Sequence, residues 1–282
     1  MPDANEQALA KPNAGIPLFY LGGDPAFQPL ARSLGARHPF HRLNVQAAMI
    51  RKLKNPYSLR CIAEHFAKAI REKRPRGPYM LGGWCAHGVL ALETAQILRE
   101  QGEDVALLVL LETINPERLR KQRRFVQIMA TLQAKMNLRG FGYKQLRATA
   151  EHRAKEHVSG RFALKNGIPP TAQRGNSKKI QSTQSTPLEI LYTAVGNYLP
   201  RPYDSPVLLI RSRRSIFGLS RDAYLGWDKT LGTELEVCET DGNHYTMYVG
   251  PNVPGLVHKV SAGLKAAEQR WQKQRRHIRQ TA

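Results

Sequence analysis

The run "VALLVLLE", Val105 to Glu112, constrains the fold of this chain more than any other stretch. Its apolar residues stand together with no polar position among them, so a strand here has no face to offer to water. Such a strand belongs inside a sheet covered on both sides, which means parallel strands joined by helices. The chain around it follows the same grammar. "IPLFYL" (Ile16–Leu21), closed by Gly22-Gly23-Asp24-Pro25, reads as a buried strand and its turn. "FQPLARSLG" predicts a short helix ended by Gly35, and "HRLNVQ" (His41–Gln46) the next strand. Ser58 is placed to cap a helix with Leu59, Ile62, Ala63, Phe66, Ala69 and Ile70 on one face, ended by the Pro75–Pro78 turn. Further on, an amphipathic helix is expected over Leu188–Leu199 and strands over Ser205–Ser212 and Glu234–Thr240. A turn at Asp241-Gly242-Asn243 and a last helix from about Val253 complete the pattern. The fold class expected is α/β, with a mostly parallel central sheet and helices on both faces.

Immediately before the apolar run stands "YMLGGWCAHGVLALETAQ", Tyr79 to Gln96. Apolar residues run into two glycines, Trp84 and Cys85, and helical spacing follows in Val89, Leu90, Leu92, Ala95, Ile97 and Leu98. A strand, a sharp bend and a helix push the side chain at the bend clear of the sheet. The first free N–H groups of the helix then point at the same small volume, where an oxyanion can form. Cys85 has that setting, and a helix N-terminus lowers a thiol pKa toward reactivity. The bland alternative is a small thiol buried at a tight turn. A thiol nucleophile needs a base, and the base an orienting acid, both from loops at the carboxyl ends of other strands. Glu112 ends the apolar run, where an acid needs a partner. His244 follows the last strand in "ETDGNHYTM", and its position singles it out among nine histidines.

Composition sets the remaining bounds. Cys61 and Cys238 fall within helix and strand patterns and are expected as core thiols. The three cysteines make neither a metal spacing nor a disulfide framework. No stretch approaches the length of a membrane span, and the polar first 15 residues lack a signal-peptide core, so a cytoplasmic location is expected. The net charge of +21 is concentrated: residues 117–186 hold sixteen Lys and Arg against three acids, and 265–282 six against one. The rest is near neutral, and no groove-reading motif or aromatic ladder accompanies the charge, so nucleic acid is not the expected partner. The organisation expected is a flexible segment 1–15, one domain over 16–268 with a helical insertion at about 117–186, and a basic tail 269–282.

"GGWCAHGVLALETAQILREQGEDVALLVLLETINP" resembles the core of the thioesterase domains that end non-ribosomal peptide and polyketide synthases, members of the α/β-hydrolase superfamily. That family has a G-W-S-x-G-G bend, a helix, and a strand closing on an acid. The similarity extends to "NYLPRPYDSPVLLIRS", to "LGWDK" (Leu225–Lys229), and to "DGNHYTMYVGPNV", which is similar to the segment with the family's catalytic histidine. "PLFYLGGD" sits where the family has its first strand and oxyanion loop, and the insertion sits at the place of its lid. Cys85 stands for the usual Ser and Glu112 for the usual Asp. His87 replaces the first glycine of the terminal pair, so it is expected to point outward, to widen the helix–strand packing, or to line the pocket beside Trp84.

The resemblance implies a thioesterase acting on an acyl, peptidyl or polyketide chain carried by phosphopantetheine on a carrier protein. Cys85, His244 and Glu112 would be nucleophile, base and orienting acid. The N–H of Ala86 and one from the loop carrying Gly23 and Asp24 would form the oxyanion hole. Metal and redox cofactors are not implied. Basic residues after the catalytic strand, Arg118, Arg120, Lys121, Arg123 and Arg124, are expected to recruit the carrier. A small-ester or lactone hydrolase with the same triad, and a catalytically weak binding module for an acidic protein, stay open as alternatives.

Overall fold

A computed structural model describes residues 15–22, 27–35, 38–44, 58–121, 187–214 and 222–281. Among the described residues six strands form one sheet: β1 (Leu18–Leu21), β2 (Phe40–Leu43), β3 (Tyr79–Trp84), β4 (Val105–Leu111), β5 (Val207–Arg214) and β6 (Leu235–Asn243). Their order is β2-β1-β3-β4-β5-β6 and every neighbouring pair is parallel. Five helices are described: α1 (Gln28–Leu34), α2 (Leu59–Lys73), α3 (Ala86–Glu100), α4 (Pro187–Asn197) and α5 (Val253–Thr281).

The apolar run behaves as its composition requires. Leu108 and Leu110 join one core cluster with α2, α3 and α4, whereas Leu107, Val109 and Leu111 join the other with α1 and α5. The sheet is thus buried on both faces at β4, the strand that ends in Glu112. Local signals set the helix ends. Ser58 accepts a hydrogen bond from the Cys61 N–H at 3.1 Å, as an N-cap should. Gly102 takes φ 79° just past α3, where the left-handed conformation closes a helix.

Two local expectations change. Asp241-Gly242-Asn243 does not turn but finishes β6, with Asn243 paired to Arg214 across a register shift. Gly242 at φ 89° accommodates the irregularity, since a Cβ there would stand 2.8 Å from the Asn252 side chain. The turn comes at 244–248 instead. Cys61 is exposed and Cys238 half-buried, not core thiols. The buried stripe of α2 runs through Leu59, Ile62, Ala63, Phe66, Ala67 and Ile70 and passes Cys61 by. Cys238 lies on β6, the sheet's outer strand, whose residues are mostly not buried. Of the expected insertion, residues 122–186 lie outside the described residues, as do residues 1–14. The expected tail is the continuation of α5.

Candidate active site

The chain leaves β1 for β2 on one side and returns to β3 on the other, so a crevice opens where β1 and β3 end. Leu21 pairs with Gly83 there, and Cys85 follows directly as the N-cap of α3. Cys85 holds φ 55° and ψ −125°, a conformation uncommon for a side-chain-bearing residue. Backbone bonds keep it there: its N–H donates to the Leu111 carbonyl at 3.0 Å, and its carbonyl accepts from the Gly88 N–H at 3.0 Å.

Two glycines let α3 lie this close. A Cβ at Gly83 would stand 2.4 Å from the His87 carbonyl oxygen, and one at Gly88 1.9 Å from the Thr113 hydroxyl. The close approach therefore falls on Gly83 and Gly88, and His87 needs no wider packing. His87 is half-buried and its ring lies against Gly22, whose Cβ would meet the imidazole at 3.3 Å. That places His87 beside the loop after β1. Gly23 and Asp24, the other expected oxyanion residues, lie outside the described residues.

Burial governs the thiol. The residue is half-buried, but its sulfur faces protein, and desolvation pushes the thiol up to about 11. The Glu112 charge adds to that rise, while hydrogen bonds from the Ala86 N–H and the Tyr192 hydroxyl oppose it. Ala86 thus presents its N–H beside the sulfur, the volume in which an oxyanion would form.

His244 reaches the same place from β6. Asn243 holds the turn, its side-chain oxygen accepting from the N–H groups of Tyr245 at 2.9 Å and Thr246 at 3.1 Å. The His244 ring packs on Trp84 with centroids 4.5 Å apart, next to Cys85 in the chain. Trp84 also touches Tyr245 and Tyr248, so the wall beside Cys85 is aromatic. Burial holds His244 down to about 3, hence neutral at ordinary pH.

Glu112 is fully buried and takes φ 42°. Its Oε2 accepts the Ser212 N–H from β5, and Oε1 is buried with no hydrogen-bond partner among the described residues. Desolvation raises its pKa. The expected Glu112–His244 hydrogen bond is therefore not made in this structure; His244 rests on Trp84. Glu112 follows β4 beside β5, and β5 pairs with β6, the strand that leads into His244. "LGWDK" braces the acid's loop, with the buried Trp227 indole donating to the Thr113 carbonyl at 2.7 Å and Asn115 donating to the Gly226 carbonyl at 2.9 Å.

Two residues at the site escaped sequence reasoning, Tyr192 on α4 and Tyr245. Tyr245 adjoins His244 in sequence and was open to inference. Tyr192 carried no local signal, since only tertiary packing brings α4 to the thiol. The basic residues expected to recruit a carrier make contacts of their own. Arg120 donates to the carbonyls of Gly196 at 2.8 Å and Tyr198 at 2.9 Å, capping the end of α4. Arg118 pairs with Asp222 at 3.5 Å and Lys121 with Glu117 at 2.7 Å. These three are already engaged within the protein; Arg123 and Arg124 lie outside the described residues. Among the described residues no group of His, Cys, Asp and Glu could hold a metal ion, and no helix could cross a membrane.

A sharp strand-to-helix bend at the switch point of a parallel sheet, with a histidine arriving after the last described strand, agrees with the match of a thioesterase domain model to residues 19–263. The chain belongs to the thioesterase domain family. It is 28% identical over 221 residues to the non-reducing polyketide synthase crz7 of Cladonia metacorallifera, covering 73% of this chain and 10% of that protein. It is 48% identical over 61 residues to the thioesterase pytI of Aspergillus terreus, covering 21% of this chain and 20% of that one. The chain thus spans about a tenth of the length of the synthase it matches. Among solved structures, the NocB thioesterase domain in covalent complex with a fluorophosphonate nocardicin G analogue aligns at TM-score 0.57 and 20% identity, covering 90% of this chain and 96% of that one. RedJ, a thioesterase of the prodiginine pathway in Streptomyces coelicolor, aligns at 0.54 and 18%, covering 89% and 91%. These likenesses show the fold, that of the α/β-hydrolases.

Proposed function

We propose that this thioesterase-family domain releases or transfers an acyl, peptidyl or polyketide chain from a phosphopantetheine carrier through an acyl-enzyme on Cys85. The observation that carries the reading is the left-handed Cys85 at the switch point, with the His244 ring packed on its neighbour Trp84. The Cys85 sulfur attacks the thioester carbonyl carbon as its proton passes to His244. The Ala86 N–H receives the negative oxygen together with an N–H from the loop after Gly22. Collapse of the tetrahedral adduct breaks the bond to the carrier sulfur, which leaves as a thiol with the proton from His244. Water, or a nucleophile on the chain itself, then attacks the thioester on Cys85.

Glu112 Oε1 is the acceptor that orients His244 once substrate is bound; such bonds commonly tighten only in the complex. Its carboxylate then stabilises the imidazolium. Moving an acyl group from sulfur to sulfur is close to thermoneutral, whereas a serine would form a more stable oxoester. The Cys85 intermediate is the more reactive of the two, which favours ring closure or transfer beside hydrolysis. The substrate implies an acyl or peptidyl carrier partner, and a cytoplasmic setting with the synthase that loads it. For docking, the exposed basic end of α5, with Arg270, Lys273 and Arg276, is a better candidate than Arg120.

Replacement of Cys85 by Ala should abolish turnover of an acyl thioester and stop covalent labelling by an acyl-thioester analogue, with the melting temperature preserved. Turnover that survives in Cys85→Ala would sink the mechanism. Cys85→Ser should still acylate and hold its acyl group longer.

A further inference from the structure

β3 and β4 end side by side and in the same way. Trp84 pairs with Leu111 at the last register position of the two strands. The next residue of each, Cys85 on one and Glu112 on the other, takes a positive φ, 55° and 42°. Neither is glycine, so each conformation carries a cost and persists only where neighbouring groups hold it. Thiol and acid are thus both presented on bends that need fixing.

Thr113 is the residue that reaches both bends. It follows Glu112, is fully buried, and its carbonyl accepts the Trp227 indole N–H at 2.7 Å. Its hydroxyl turns back and donates to the Leu111 carbonyl at 3.2 Å. That same carbonyl accepts the Cys85 N–H at 3.0 Å, since a carbonyl oxygen has two lone pairs to offer. The Thr113 side chain also fills the notch that Gly88 leaves on α3. A Cβ on that glycine would stand 1.9 Å from the hydroxyl oxygen and 2.9 Å from the methyl carbon. Gly88 is the residue whose N–H holds the Cys85 carbonyl. From its place beside the acid, one side chain therefore touches both residues, Leu111 and Gly88, whose backbone fixes Cys85.

We propose that Thr113 is a positioning residue of this site, its hydroxyl locking the Cys85 bend to the Glu112 bend so that thiol and acid keep one spacing around His244. The proposal rests on Cys85 being the acyl acceptor and Glu112 the orienting acid. Thr113 acts through Leu111 and Gly88, not on the reacting atoms. Small displacements matter here, because a misplacement of about 1 Å can slow a reaction about a hundredfold.

Thr113→Val keeps the shape in the notch and removes the hydroxyl; Thr113→Ser keeps the hydroxyl and removes the methyl. Turnover of a small acyl thioester would be measured for each, normalised to Cys85 titrated with an acyl-thioester analogue, beside the melting temperature. In the Val variant kcat should fall about tenfold with KM within about twofold of the parent's, because spacing has changed and binding has not. In the Ser variant kcat should stay close to the parent's, while the melting temperature drops with the packing lost at Gly88. A threonine that only fills space gives the opposite order, with the Val variant at parental kcat and the Ser variant the more impaired. Should the Val variant not fold, Thr113→Ala against Thr113→Ser makes the same comparison with less bulk. Parental kcat without the hydroxyl, in a protein whose Cys85→Ala variant is inactive, would overturn the role of Thr113 alone. An active Cys85→Ala would instead overturn the nucleophile, and this role with it.

Discussion

Two glutamates in this protein are buried to the same degree and treated in opposite ways. Glu93, 1% exposed, accepts from Arg60 at 3.4 Å, Arg201 at 3.3 Å and the Tyr198 hydroxyl at 2.5 Å. Glu100 on the same helix takes the same two arginines at 2.6 Å each. The cluster ties α2, α3 and the segment after α4 into one body. Glu112, at 0% exposure, accepts the Ser212 N–H on Oε2, and its Oε1 has no hydrogen-bond partner among the described residues. A satisfied buried charge holds architecture together, whereas a half-satisfied one carries a free-energy cost that persists where a further partner is still to arrive. Glu112 lies one residue beyond the strand that borders Cys85, and Glu93 two turns down the helix that Cys85 caps.

The contrast breaks if the two glutamates respond alike to the loss of their charge. Glu112→Gln should lower turnover on the order of 10²–10⁴-fold, the range for a group serving proton transfer, and leave the melting temperature close to the parent's. A large loss of stability with full activity per folded molecule would make Glu112 an architectural residue. Glu93→Gln should do the reverse, costing about 1–3 kcal/mol of unfolding free energy as Arg60, Arg201 and Tyr198 lose part of their acceptor. Its kcat, normalised to titrated sites, should stay near the parent value, and a tenfold fall would join the two regions functionally.

The smallest effect separates them by pH. Burial lowers His244 to about 3, so the unfolded chain takes up its proton first, below pH 6.5. Its contribution is fully present above that pH and is lost as pH falls toward 3, at a slope of about 1.4 kcal/mol per pH unit. The Arg60 and Arg201 hydrogen bonds lower Glu100 to about 2, so its share is lost only below its ordinary value of 4.5. Between pH 6.5 and 4.5, then, the site should titrate and the ion cluster should not. Denaturant unfolding in a Glu112→Gln background, which removes the opposing carboxyl with its raised pKa, should show that slope. Adding His244→Asn should flatten it. An unaltered slope would mean that His244 is not the group being protonated.

Much of the site was readable in the chain because its parts are local. The Cys85 bend is written in Gly83 and Gly88 on either side of it, and both prove to be places where a Cβ would collide. Glu112 was recognisable as an acid closing an apolar strand, and His244 by its place after the last one. That the two are not hydrogen-bonded was not readable, because it depends on which oxygen Ser212 occupies and on the packing of the imidazole on Trp84. The cap that Arg120 provides was hidden for a related reason. A run of charge looks the same whether it faces solvent or caps the end of a distant helix.

By itself, then, the amino-acid sequence determined the strand order's raw material and the bend at Cys85. Periodicity, caps and glycines act within a few residues of themselves, and a strand with no polar face can lie only inside a covered sheet. Tertiary structure alone decided that Cys61 faces water and that the thiol of Cys85 is desolvated. It also decided that Glu112 Oε1 has no hydrogen-bond partner among the described residues, and that the His244 ring packs on Trp84. Each of these is set by atoms far apart in the chain, whose meeting depends on how helices stack on the sheet and is written in no short stretch of residues.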